Sequence, residues 1–160
     1  MNYDSTSDTM KHISRVRELM ENIAGEILLR SGNHDKSKLL PPEKPIFDEV
    51  TPKLKAMTYG SKEYKDSLAS MKPALDHHYA NNRHHPEYFM NGIDGMNLVD
   101  LIEMICDWKC AVERHADGSI TKSLEINKVR FGMSDQLIKI LENTVVALAD
   151  TPPRQPKERK

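Results

Sequence analysis

A chain of 160 residues is long enough to bury one core and short for two. Its 38% hydrophobic and 29% charged residues fit a soluble globular domain, and the formal net charge of −1 excludes a globally basic field for nucleic acid. No stretch approaches the roughly 20 apolar residues needed to cross a bilayer, and residues 1–9 are polar with no apolar signal core. Two cysteines, Cys106 and Cys110, are too few for a disulfide scaffold and wider apart than a zinc-knuckle pair. They read as small core residues or free thiols in a reducing cytoplasm, with no membrane partner expected.

Almost every periodic segment reads helical. Between residues 9 and 30, Ile13, Val16, Met20, Ile23 and Ile27 form a stripe at helical spacing, which Gly32 can end. Residues 1–8 before it are expected to be flexible. A short piece at 34–40 is stopped by Pro41 and Pro42. A second helix is predicted from about 42 to 57, with Pro45 in its first turn and Pro52 kinking or splitting it. Tyr59-Gly60-Ser61 reads as a turn with Ser61 as N-cap. The next helix runs through Tyr64, Leu68, Met71 and Leu75 towards Asn82, kinked by Pro73. A polar loop follows through Gly92 and Gly95. Asn97 then caps a helix over 98–115, and Asp117-Gly118 turns the chain into helices near 121–131 and 134–149. The proline-rich, charged tail at 151–160 reads as disordered. The expected fold is therefore all-α, a single-domain helical bundle over residues 9–150. Met20, Met71, Met104 and Trp108 are its expected core residues.

Six of the seven histidines fall between His12 and His85. A vicinal His34-Asp35, the pairs His77-His78 and His84-His85, and a later acidic helix together point to a metal site. Imidazole with carboxylate suits borderline divalent ions. The imidazole can hold one ion while the adjacent carboxylate bridges to a second. Such an ion activates water for attack on phosphorus. His77 and His78 point about 100 degrees apart on a helix, so one of them faces a site. His78 is favoured because Asn82 lies one turn later on its face. On the helix from Leu98, the residues Leu98, Leu101, Ile102, Ile105, Trp108 and Val112 share an apolar arc. Asp100, Glu103 and Asp107 lie opposite, which usually means a solvated face. Met104 and Ala111 flank that face, and Asp107 sits level with Trp108, so Asp107 is the favoured ligand.

The order His12, His34-Asp35, histidine-rich segment, Asp107 resembles the HD superfamily of metal-dependent phosphohydrolases over roughly residues 9–116. His34-Asp35-Lys36-Ser37-Lys38 looks like the HD-x-x-K variant of its cyclic-dinucleotide branch. It also looks like the HD-x-x-E form of its nucleotidases, with Lys38 in place of the glutamate. The segment from Ile105 to Ala111 resembles the superfamily's closing aspartate helix. The glycine-tyrosine-proline signature of the cyclic-dinucleotide hydrolases is absent; Asn82-Arg83-His84-His85-Pro86 stands near its place. His78, Asn82, His84-His85-Pro86-Glu87 and Asp107-Trp108-Lys109 also look like a short uncharacterised group common in tailed phages, which for a phage-encoded chain implies a bacterial host cytoplasm.

The resemblance implies metal-assisted hydrolysis of a nucleotide or nucleotide-derived phosphoester, with Mn, Fe, Co, Ni, Zn or Mg as cofactor. His34, Asp35 and Asp107, with His12, are the expected ligands of one ion. His78, His84 and His85 would hold a second or orient the phosphate. Lys38 joins Asp35 as a catalytic candidate, and Arg83, Lys109 and Arg114 are candidate phosphate contacts. Three rivals stand beside this reading. A catalytically silent HD-like module would bind metal or nucleotide, a role that Lys38 keeps open. A helical NTP pyrophosphatase would need a second acidic helix. A phage–host interaction protein would carry no site.

Overall fold

The computed structural model describes residues 3–56, 62–113 and 118–149. Among the described residues seven helices carry the fold, α1 (Thr6–Asn33), α2 (Glu43–Ala56), α3 (Lys62–Ser70), α4 (Lys72–Asn81), α5 (Leu98–Val112), α6 (Ile120–Phe131) and α7 (Asp135–Ala149). Among the described residues there is no strand, and no helix is long and apolar enough to cross a membrane. The chain is an all-α, single-domain bundle. The turn at 59–61, Arg114, Asp117 and the tail at 151–160 lie outside the described residues.

Two helix groups meet along α5. On one side α5 packs with α6 and α7, and on the other it meets α1. The main core joins Met104 and Ile105 of α5 to Leu124, Met133 and Leu141, with Trp108 and Phe131 stacked at its edge. Each such side chain, fully buried, contributes about 1.5–3 kcal/mol. A second group, α2, α3 and α4, buries Val50, Met71 and Ala74. The centre described below lies where the end of α1 meets α5, beside the pairing of α2 with α4.

Prolines and caps set most of the boundaries. Pro73 falls in the first turn of α4, where its missing N–H costs nothing, so the expected kinked helix is two helices broken at Met71. Pro52 is accommodated inside α2 instead of splitting it. Gly32 lies within α1, which continues until His34 leaves helical geometry at ψ 129. Asn97 accepts from the N–H groups of Val99 and Asp100 while Asp100 accepts from Asn97, a capping box that starts α5. Gly95 is required by close approach, since a Cβ there would lie 2.7 Å from Phe89 Cβ.

Gly132 ends α6 in the left-handed region at φ 63. Substituting Gly132→Ala is expected to destabilise the fold by about 1 kcal/mol, because a Cβ is disfavoured at that φ. A urea titration measures this, and an unchanged midpoint would contradict it.

The long stripe on α1 is not core. No residue of α1 is buried, and Met20 is 65% exposed. Leu98 is likewise exposed, one turn too early on α5 to reach the core. The acidic arc of α5 is the opposite surprise. Asp100 is buried, and Glu103 and Asp107 are largely covered. Cys106 and Cys110 are free and exposed, so they are not core residues.

Candidate metal centre

The centre begins where α1 stops. The His34 N–H still donates to the Arg30 carbonyl at 2.8 Å, but the next residue, Asp35, takes φ 57. Aspartate is among the few residues that tolerate this region. A short 3-10 turn, Lys36–Leu39, follows. Both carboxylate oxygens of Asp35 then have close polar neighbours. Its Oδ1 lies 3.3 Å from His78 Nε2 and 3.5 Å from His84 Nε2. Its Oδ2 accepts from Lys38 Nζ at 2.6 Å and lies 3.6 Å from His34 Nε2.

Asp35, His78, His84 and His85 each offer a ligand atom, and the four atoms lie within 4.8 Å of one another. The outer nitrogens show which atoms are free. His78 Nδ1 donates to Glu43 Oε2 at 2.9 Å, so the Nε2 of a neutral His78 carries a bare lone pair. His84 Nδ1 lies 3.1 Å from Glu103 Oε1, which leaves its Nε2 in the same state. His78 Nε2 also lies 2.9 Å from His85 Nε2. Two of the four inward atoms, Asp35 Oδ1 and His84 Nε2, are buried without any hydrogen-bond partner. A buried acceptor left unpaired costs about 1–3 kcal/mol. Two acceptors facing each other at 3.5 Å are stabilised by a cation between them. The residues therefore fit a divalent ion.

A second group joins His34, Asp35 and Asp107, and a third His34, His84 and Glu103, so Asp35 belongs to two of the three. His34 Nε2 lies 3.6 Å from Asp107 Oδ1, and His34 Nδ1 is 2.9 Å from Glu103 Oε1. The Asp107 and Glu103 carboxylates raise the His34 pKa to about 10. Burial, with the neighbouring His84 and His78, pushes His85 down to about 3. Burial works against ionisation of the Asp35 carboxyl, but the adjacent His78 and the Lys38 ammonium hold it well below the carboxylate range.

A layer of polar support surrounds these groups. Glu43 is fully buried at the start of α2, accepting from His77 Nδ1 at 2.7 Å, His78 Nδ1 and Ser37 Oγ. Burial pushes the Glu43 carboxyl up, but the bonds from His77 and Ser37 and the nearby His78 outweigh it and hold it below the usual range. Asn82 donates to Ser37 Oγ at 2.9 Å and to the His78 carbonyl at 2.8 Å. Arg30 joins α1 to α5 by donating to Glu103 at 2.7 Å and to Asp100 at 2.6 Å. A cleft of about 310 Å³ opens beside the centre, lined by His34, Asp35 and Asp107 together with Ile27, Val99 and Ile102.

A family model described as a family of unknown function, DUF5662, matches residues 1–147. The chain belongs to the DUF5662 family. No curated protein and no solved structure matches it.

In this DUF5662 chain, His34, Asp35, Lys38, His78, His84, His85 and Asp107 come together as the sequence suggests. His12 does not. It is exposed on α1, twenty-two positions before His34, or about 33 Å along a continuous helix. Lys109 pairs instead with Glu113, the C-cap residue of α5. Arg83 is held by Asp100 at 3.1 Å and lies over the Phe89 ring, at the edge of a polar recess that also touches His84 and Arg30. Arg114 is outside the described residues.

Sequence reading misses Glu43, Glu103, Asp100 and Arg30 as members of the site. Glu103 is detectable one helical turn before Asp107, and Asp100 through its capping box with Asn97. Glu43 carries no local signal, since only the approach of α2 to α4 gives it two histidine partners.

Proposed function

We propose that this chain is a metal-dependent phosphohydrolase of HD type acting on a nucleotide or nucleotide-derived phosphoester. The main support is the facing pair of buried, unpartnered acceptors, Asp35 Oδ1 and His84 Nε2, with His78 and His85 beside them. Asp35, His78, His84 and His85 would hold one divalent ion, drawn from Mn, Fe, Co, Ni, Zn or Mg. His34 and Asp107 would hold a second, sharing Asp35. Such an ion, when bound, lowers the pKa of water and polarises a phosphoryl oxygen. Glu43 and Glu103 fix the histidine tautomers, so the Nε2 atoms remain free to ligate. Lys38 Nζ, beside Asp35, supplies positive charge where phosphoryl oxygens gather negative charge. The adjoining cleft gives the rest of the substrate a place to bind.

A catalytically silent metal-binding module is the second reading, and Lys38 favours it. Its ammonium occupies Asp35 Oδ2 at 2.6 Å, the oxygen a second ion would need.

Metal content of tag-free protein tests both readings. About one or two ions per chain, with turnover of phosphodiesters or nucleotides, supports the hydrolase. Metal without turnover across such a screen supports the silent module. Protein that stays metal-free after incubation with each ion overturns both.

Loading the second group is expected to release a proton at neutral pH. His34 carries its proton up to about pH 10 in the metal-free chain and must lose it to ligate. Calorimetric titration in buffers of different ionisation enthalpy measures the release. A buffer-independent heat would remove His34 from the ligand set.

Replacing Glu43 by glutamine is expected to weaken metal affinity by about 10–100-fold with the fold retained, because His78 loses the carboxylate that fixes its tautomer. Unchanged affinity by competition with a chelator would show that Glu43 plays no such part.

A further inference from the structure

Lys38 is placed by the turn that follows Asp35. Residues three apart nearly eclipse one another in a 3-10 helix. Lys36–Leu39 is such a helix, entered from Asp35 at φ 57. The Lys38 N–H donates to the Asp35 carbonyl at 2.9 Å, and its Nζ reaches back to donate to Asp35 Oδ2 at 2.6 Å. The ammonium also lies over the Phe47 ring, 6.0 Å from its centre. Among the described residues Lys38 makes no other ion pair, and its side chain is partly exposed. It can therefore leave Asp35 for water without breaking a second bridge.

The two oxygens of Asp35 differ as a result. Oδ1 faces His78 and His84 and is buried without a hydrogen-bond partner. Oδ2 already carries a positive charge. It is also the oxygen turned towards the second ligand group. It lies 3.6 Å from His34 Nε2, which is itself 3.6 Å from Asp107 Oδ1. A divalent ion taken up by His34, Asp35 and Asp107 would share Oδ2 with the ammonium. Two cations on one oxygen repel strongly, most of all where water is partly excluded. The group of Asp35, His78, His84 and His85 uses the other oxygen and escapes the larger part of that repulsion.

We propose that Lys38 is a built-in counter-cation for the second ligand group and so sets how many ions the chain holds. One divalent ion binds tightly at Asp35, His78, His84 and His85. A second binds at His34, Asp35 and Asp107 only by displacing the Lys38 ammonium from Oδ2. The inference rests on the reading of this centre as a metal site. It goes further by ordering the two groups and by naming the residue that orders them.

Equilibrium dialysis against Mn²⁺ or Zn²⁺ tests the proposal, with electron paramagnetic resonance of the bound Mn²⁺ as a second readout. Wild type is expected to bind one ion tightly and a second at least about 10-fold more weakly. Lys38→Met keeps the length of the side chain and removes its charge. It should tighten the second ion at least about 10-fold and the first by a smaller factor. At two Mn²⁺ per chain its spectrum should be that of a coupled pair, since both ions share Asp35. Lys38→Arg keeps the charge and should behave as wild type. Adding Asp107→Asn to Lys38→Met should remove the second ion alone. Circular dichroism and the thermal transition of the metal-free variants check that they fold. A wild type that binds two ions equally tightly overturns the role of Lys38 and leaves the metal centre standing. So does a Lys38→Met chain whose second ion is no tighter than that of wild type. Failure of wild type and Lys38→Met alike to bind either ion overturns the centre, and this inference with it.

Discussion

If the proposed function holds, Asp35→Gly is expected to abolish metal loading and the proposed phosphohydrolase activity while leaving a folded chain. Glycine is the informative replacement because Asp35 sits at φ 57, where alanine would add backbone strain to the lost carboxylate. The carboxylate belongs to two of the three candidate ligand groups, facing His78 and His84 with one oxygen and His34 with the other. Its removal should exceed the loss of about 10–100-fold expected for a supporting residue. Two measurements read the result. Metal content should fall to background, and the thermal transition should no longer rise on addition of the ion that stabilises wild type. A variant that retains metal and activity would show that the centre is not built on Asp35. Asp35→Asn separates charge from shape. It keeps the side-chain outline and tolerates the same backbone conformation, so an equal loss would assign the effect to the negative charge.

Asp100→Ala should produce the largest loss of stability. Asp100 is fully buried and accepts from Arg30 at 2.6 Å, from Arg83 twice at 3.1 Å and from the Asn97 N–H at 2.9 Å. Removing one partner from a buried ion-pair network leaves the others uncompensated, at a cost of about 3–5 kcal/mol. The capping box of α5 is lost with it. Arg30 also holds Glu103, and Glu103 orients His34 and His84, so the damage should extend to the centre. Urea denaturation of the metal-free protein measures the effect, and a loss below about 1 kcal/mol would show that the network contributes little net energy. Burial opposes ionisation of Asp100, but bonds from Arg83, Asn97 and Arg30 hold its carboxyl below the ordinary value of 3.8. The sign follows directly. The contribution is present above that ordinary value and is lost as pH falls below it. Wild type and Asp100→Ala should therefore converge in stability only in acid.

The sequence alone determined what is local. Apolar spacing reveals the helices, and Asn97 marks the start of one of them through backbone chemistry that needs no distant partner. The choice of His34, Asp35, His78, His84, His85 and Asp107 rests on residue type and order, and the fold gathers all six. Tertiary structure decided which faces are buried. The apolar stripe of α1 and the acidic face of α5 have similar periodic signals, yet the first is bare and the second covered. Periodicity gives a face its direction, but what it meets depends on how helices distant in sequence pack. The same reason explains His12 and Glu43. A straight helix carries His12 far from the centre, whereas the approach of α2 to α4 places Glu43 against His77 and His78. The support that leaves the inward nitrogens free is built from such distant contacts, so only the folded chain reveals it.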